Sequence, residues 1–460
     1  MLPLELWAQD SHYWTSKYGT ESILLGGAVV GSHLDISSTF YNPGALGITP
    51  DPAFVMTGWV FNLTSLNYAS AVGEKRDMGT LRLSPAPDYV TGLIPTSSKS
   101  AKLAYSLLTR YKFQERLVAR DSFRKDVLHK PGDELFAGEY YLDQDLVESW
   151  FGLSWSKALS RTVGFGVTNY IAYRSQKFYS SIVNQAFAAE TAAATTVIRH
   201  FSYYNYRALW KIGIAIDCAP FKFGAALTTP SINVFGSGTT FLNRLIIDQT
   251  IPGYDGRDFA DFDEQKNRKS SYHSPLSISA GGSVELDNST IHASAEWFNA
   301  TGQVSVLQTD PYLNQARDEM AENAVIQDLK SVLNVGIGIQ RHFADRFELY
   351  ASFVSDVSAA KPDSRANVSI TSWDIYHLMA GALLRLWRSE ITAGIGYSFG
   401  SDIFIQKVDF DTAHEDNLLM GERQEKRGTY RNATLLVGFS IFPSELLQKT
   451  IESVPFLKKR

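Results

Sequence analysis

His292, Ser294 and Glu296 place an imidazole, a hydroxyl and a carboxylate at spacings of two residues. These are the groups of a serine hydrolase relay. On a strand, that spacing turns all three to one face, as it does for ordinary polar residues lining a lumen, so hydrolysis of a lipid or peptide is one reading among several. Other chemistry-bearing residues are less ordered. The nine histidines show no metal-ligand spacing, and none pairs at i, i+4 on a helix. The acidic run Asp255, Asp258, Asp261, Asp263 and Glu264 lacks the calcium-loop pattern and reads as a solvated loop. Gly394, Gly396 and Gly400 do not fit the dinucleotide fingerprint. The single cysteine, Cys218, can form no internal disulfide. No metal and no cofactor is expected. With 43 basic against 48 acidic residues there is no basic field for nucleic acid.

The elements that carry these residues alternate between β-rich runs and connectors of two kinds. Runs fall near 54–70, 82–94, 102–121, 138–158, 162–179, 196–217 and 219–231, then near 272–287, 289–306, 331–343, 346–358, 372–388, 390–403 and 427–442. Tight joints fall at Ser160 and Arg161, at Cys218, at Asp287 and Asn288, at Ala344 and Asp345, and at Arg388 and Ser389. Bulky connectors lie between them, near 71–81, 122–137, 180–195, 232–271, 307–330, 359–371 and 404–426. Short and long connectors in alternation are what a transmembrane β-barrel leaves in sequence, and the strand total of about 14 is even, as closure requires. Leu313 to Leu329 reads as a short helix in the fifth long connector, with Met320, Ala324 and Ile326 on one face.

Side-chain period points the same way. Ala433, Leu435, Val437, Phe439 and Ile441 alternate with Asn432, Thr434, Gly438 and Ser440, and Leu276, Ile278, Ala280, Val284 and Leu286 interleave with serines, Gly281 and Glu285. A barrel strand must show lipid one face and its lumen the other. Aromatic content of 13% suits girdles at both interfaces. No run approaches the roughly 18 apolar residues of a spanning helix, and backbone in hydrocarbon must pair internally, which leaves a closed barrel. Residues 1–9 read as a signal-peptide remnant and 443–460 as a C-terminal tail after Pro443.

Residues 10–53 do not read as a membrane strand. Gly26, Gly27, Ala28, Val29, Val30 and Gly31 allow close backbone approach, and Asp35, Phe40, Tyr41, Asn42, Pro43 and Gly44 lead into a turn. A segment of this kind can fold inside the barrel. The run Gly27 to Leu46 resembles the N-terminal hatch signature of the FadL outer-membrane transporters, and strand number and long third and fourth outer connectors sit where that family has them. Three features depart from it. Phe442, the aromatic expected to end the barrel at the C-terminus, is followed by a tail. Gly44 stands where alanine is usual, and Lys112 stands where a glycine often kinks the third strand, so that lateral exit fails or opens at another residue.

The resemblance implies an all-β, 14-stranded barrel (54–442) plugged by a hatch whose nodes are Gly27, Gly31, Asp35, Phe40, Tyr41, Asn42 and Pro43. It also implies passive uptake of fatty acids or aromatic hydrocarbons across a Gram-negative outer membrane, by outer-loop capture, lumen binding and hatch movement. An amphiphile needs an apolar tunnel and a few cations for its head. Arg174 and Lys177 lie near the family's carboxylate-binding position, with Arg385 and Arg341 as further cations. Phe187, Phe235, Phe241, Leu242, Leu245 and Ile246 are candidates for an apolar capture groove in the third and fourth outer connectors. Expected partners are hydrophobic small molecules, lipopolysaccharide and outer-membrane lipid, and the barrel-assembly machinery, for a monomer. The alternatives are a general diffusion porin, a surface adhesin, or a barrel lipase or protease.

Overall fold

The computed structural model describes residues 11–32, 34–49, 54–57, 60–86, 89–96, 98, 100–249, 256–344, 346–361, 372–386 and 389–441. The expected signal remnant, Phe442 and the tail lie outside them, as do Asp255, Asp345 and Arg388.

Three short helices, α1 (Glu21–Leu24), α2 (Ser38–Tyr41) and α3 (Pro43–Leu46), precede the strands. β1 (Phe54–Thr57) and β2 (Val60–Tyr68) are followed by β3 (Met78–Ala86) and β4 (Tyr89–Ile94). Four long strands come next: β5 (Ala101–Lys125), β6 (Glu134–Ala158), β7 (Val163–Phe187) and β8 (Ala192–Cys218). β9 (Phe221–Thr228), β10 (Ile232–Ile247), β11 (Phe259–Lys269), β12 (Ser277–Leu286) and β13 (Ser289–Phe298) continue the wall. A connector then carries β14 (Thr301–Leu307), β15 (Tyr312–Asn314), β16 (Glu319–Ala321) and β17 (Val325–Leu329). The wall resumes with β18 (Val332–Ala344), β19 (Phe347–Asp356), β20 (Ile375–Leu386), β21 (Ser389–Ile405) and β22 (Glu425–Ile441).

Among the described residues, 18 of these segments form one sheet. It closes on itself because β22 pairs antiparallel with β21 on one side and with β1 and β2 on the other. Four pairs of segments are successive parts of one pass. β9 and β10 follow each other along β8, for example, and face β12 and β11 in turn. Closure removes the two outer edges of an open sheet, which a backbone surrounded by hydrocarbon requires.

The outward face confirms the alternation. Ile171, Ile212, Ile278, Ile337, Ile395 and Leu435 are exposed, each flanked by buried or half-buried neighbours on its strand. Aromatic rings border this apolar band on both sides. Toward the short connectors stand Trp155 and Phe165, Phe221 and Phe223, and Phe343 and Phe347. Toward the long connectors, Tyr206 stacks on Phe235 at 4.5 Å, and Tyr376 lies between Phe353 and Phe399. Such belts mark membrane interfaces.

Three expectations need correction. β5, β6 and β7 run 25 residues and β8 runs 27, well past the roughly 9–11 that span hydrocarbon. Inside-outside alternation continues to Phe187, so the connectors expected at 122–137 and 180–195 shrink to 126–133 and 188–191. Likewise, most of the connector expected at 232–271 is β10 and β11, joined through 248–258. The helix expected over Leu313–Leu329 is absent. Asn314 accepts hydrogen bonds from the N–H groups of Ala316 and Arg317 and closes a β15–β16 hairpin, and Val325–Leu329 alternates with period two against β14.

Candidate functional site

The N-terminal segment lies inside the ring, and the residues expected as hatch nodes are its fixings. The Asp35 carboxylate accepts from the N–H groups of Thr20, Glu21 and Ser37, at 3.1, 3.2 and 2.8 Å. The Tyr41 hydroxyl accepts from the Tyr18 N–H at 2.9 Å. Asn42 donates to the carbonyls of Val30 and of Ile214 in β8 and accepts from the Gly44 N–H. Pro43 opens α3, whose backbone lies against Gly166 and Gly213 of the wall. A Cβ on Gly31 would come within 2.4 Å of the Gly281 carbonyl oxygen, and one on Gly44 within 2.6 Å of that of Gly213. Glycine at position 44, where alanine was expected, therefore lets the segment sit closer to β8. Across the lumen, the Leu24 carbonyl accepts from Ser352, and Thr20 bonds Ser440. Wall strands on all sides hold the segment.

Between this segment and the wall lies a chamber, with Tyr13, Trp14, Phe40, Trp150, Tyr272 and Phe298 among its walls and Gly27 at its floor. Three cations reach it: Lys17, Arg110 and Lys211. Arg110 donates to the Tyr13 carbonyl and lies 5.6 Å from the Phe40 ring centre and 5.7 Å from that of Trp150. The Lys211 ammonium is 4.7 Å from the Phe40 ring centre, and among the described residues no carboxylate is within ion-pair distance of it. Enclosure by protein pushes Lys17 down to about 8, opposed by nearby Asp356 and reinforced by Arg110. Glu296 is spoken for, accepting from Trp14 and Ser277. Aromatic walls with a cation that no described carboxylate ion-pairs can hold an apolar body and an anionic or π-rich head.

The expected head-group cations are not brought together. Arg174 points inward but is wholly buried, bonded to Glu148 at 2.9 Å, with Arg207 bonded to the same carboxylate at 2.7 Å. Lys177, an odd number of residues away, faces outward and is exposed, so it cannot join Arg174. Arg385 is near the short-connector end, paired with Glu348 and Glu390. Arg341 is exposed beside Phe343. The cations that do face the chamber were missed. Arg110 and Lys211 lie on strands whose inward face could have been counted from sequence, but only the fold shows which inward cations lack a carboxylate.

The apolar capture set is likewise divided. Phe187, Phe235 and Leu245 are exposed on the outward face, with Phe241 on their side of β10. Leu242 and Ile246 point inward, and Ile246 joins Phe178 and Phe201 in the core of the upper lumen. Alternation along β10 separates residues that a loop could have gathered. The hydrolase reading also lacks its geometry. His292 bonds Ser32 at 2.7 Å and Gln340 at 3.3 Å, while Ser294 accepts from the Val30 N–H, so no relay connects them.

Two features complete the lumen. Arg110 is a bulge residue, where the β5–β6 register shifts between Thr109 and Tyr111. β4 pairs with β5 only up to Leu108, and among the described residues no ladder joins β3 to β5 beyond it. The resulting crevice is lined by Thr64, Ser84, Lys112 and Phe113. A second cavity shares Ser16, Lys17 and Tyr111 with the chamber and Ser84 and Lys112 with this crevice. At the long-connector mouth, residues 406–424 fold inward, burying Phe410, Leu418 and Leu419 against Phe136 and Phe178. The carbonyls of Leu419 and Leu418 accept from Asn184 and Thr195, both at 2.7 Å. This lid had no signal in the sequence beyond its length.

No protein-family model and no curated protein matches the chain. Solved structures do. A Pseudomonas aeruginosa FadL homologue is 13% identical with a TM-score of 0.61, over 94% of this chain and 99% of that one. The toluene transporter TodX of Pseudomonas putida is 12% identical with a TM-score of 0.54, over 95% and 99%. The CymD monoaromatic hydrocarbon channel is 10% identical with a TM-score of 0.55, over 93% and 98%. These neighbours are transport channels rather than enzymes, and identity this low speaks for the backbone. The chain has the fold of the FadL and TodX channel barrels.

Proposed function

We propose that this chain is an outer-membrane channel for passive uptake of hydrophobic compounds, with residues 10–53 as hatch and 54–442 as barrel wall. The observation that carries the reading is the aromatic chamber with Lys211 beside Phe40, which shares lining residues with a second cavity that in turn shares Ser84 and Lys112 with the β3–β5 crevice. The cargo enters from the outer face, rests against the aromatic walls with any anionic head toward Lys211 and Arg110, and leaves sideways through the crevice into lipid. Long-chain fatty acids and monoaromatic hydrocarbons both fit an apolar site with one polar end. Lipopolysaccharide and outer-membrane lipid surround the band, the barrel-assembly machinery inserts it, and the monomer is the working unit.

The test is uptake of radiolabelled oleate and of toluene by a strain lacking its own transporters, together with planar-bilayer conductance of the purified chain. Uptake of either compound above the empty strain, with little steady current, supports the proposal. A large steady current without uptake makes the chain a general diffusion porin instead, a reading that the buried N-terminal segment and the lid disfavour. Unchanged uptake in Lys211→Met with Arg110→Gln would remove the chamber from the route.

A further inference from the structure

The lid at 406–424 meets the β5–β6 connector, residues 126–133, at a cluster of His129, His414 and Asp416. We propose that these three side chains bind a divalent transition-metal ion, zinc by donor type, and that the ion clamps the lid to the neighbouring connector. Their donor atoms all lie within 4.8 Å of one another. His129 Nε2 is 2.7 Å from Asp416 Oδ1; His414 Nδ1, 3.3 Å from Asp416 Oδ2, accepts from the Asp416 N–H at 3.3 Å, a bond that coordination through Nδ1 would replace; and the two imidazole centres are 5.0 Å apart. Zinc binds nitrogen and oxygen at about 2.0–2.2 Å, so ligands on one ion sit roughly 3–3.5 Å apart. Rotation about the side-chain bonds of the exposed His129 and Asp416 closes that difference.

Two imidazoles and one carboxylate select zinc, copper or nickel over calcium and magnesium, and leave a position for water. The backbone beneath the cluster is already fixed. The Glu415 N–H donates to the Val127 carbonyl at 2.8 Å, and the Glu415 carboxylate accepts from the His129 N–H at 3.1 Å and from Arg257 at 2.7 Å. Glu415 and Asp126 add negative potential at His129. One ligand comes from one connector and two from the other, so an ion here resists their separation. Because the lid buries Phe410 and Leu419 in the mouth, separating the connectors is the motion that opens it.

The experiment uses tag-free full-length protein in detergent, stripped with EDTA and titrated with Zn²⁺ by calorimetry and with Co²⁺ by visible absorption. The expected result is one ion per chain, a Co²⁺ spectrum of nitrogen–oxygen coordination, and slower proteolysis of residues 406–424 when Zn²⁺ is present. His129→Ala and His414→Ala each lose the ion and the protection, whereas His200→Ala, on the wall of β8, keeps both. Absence of stoichiometric binding, or binding retained in the His129→Ala, His414→Ala double variant, overturns the site. Binding without slower proteolysis overturns the clamp.

Discussion

Asn42 and Ile214 join the N-terminal segment to the wall: the Asn42 amide donates to the Ile214 carbonyl at 2.9 Å while a second bond at 2.9 Å holds the Val30 carbonyl. One side chain thus fixes the segment to itself and to β8. Asn42→Ala leaves those carbonyls without this donor, and a buried polar group left unpaired costs about 1–3 kcal/mol. Single-channel recordings should show a higher leak conductance, with the heat-modifiable gel mobility of a folded barrel retained. An unchanged leak would mean that other contacts suffice to seat the segment.

Glu148 pairs with Arg174 and Arg207, all three with side chains at most 1% exposed. Glu148→Gln leaves two buried guanidinium groups without a counter-charge, and breaking such a pair costs roughly 3–5 kcal/mol. Denaturant unfolding in detergent should shift to a clearly lower midpoint. Lys177→Gln, on the exposed face, should leave both stability and uptake unchanged. If Arg174→Gln lowered uptake with no loss of stability, Arg174 would be a ligand contact after all.

Lys17 carries its charge below about pH 8 and loses it above. Asp356, Arg110, Glu148, Glu296 and Lys211 lie around it or line the same chamber. A carboxylate ligand is ionised throughout this range, so its affinity should be higher below pH 8 and fall as pH rises through it. Losing one nearby cation weakens binding about tenfold, or about 1.4 kcal/mol. In Lys17→Met the pH profile of oleate binding should be flat. Stability moves the opposite way: the folded value lies below the ordinary lysine value of 10.5, so a cost present below pH 8 is relieved as pH rises toward 10.5.

Ser84 lines both the second cavity and the crevice between β3 and β5. Ser84→Trp fills that crevice. Uptake should drop at least about tenfold while binding of a fluorescent fatty acid to purified protein persists, because only the exit is blocked. Uptake at the original rate would place the exit elsewhere.

Much of this protein is legible along the chain. Alternation in 276–286 and 433–441 identifies lumen and lipid faces because a strand turns successive side chains to opposite sides. The glycines and the Asn-Pro pair near residue 42 announce a segment that approaches other backbone closely, and the contacts of Gly31 and Gly44 bear this out. Less was legible where strands end. β7 runs on to Phe187 because neighbouring long strands supply hydrogen-bond partners there, and that support is invisible in its own residues.

The chain's local pattern determines that it forms strands, which side chains face inward, and that its first fifty residues differ in kind from the rest. Only the tertiary structure decides which inward charges meet. Glu148 meets Arg174 and Arg207 across 26 and 59 residues, which neutralises the cations that the sequence recommends. Lys211 is left facing Phe40 instead. The bulge at Arg110, the stretch of β5 beyond Leu108 that among the described residues pairs on one side only, and the inward fold of 406–424 belong to the same class. Alternation is a property of one strand, whereas charge pairing, wall gaps and lids depend on which strands closure brings together.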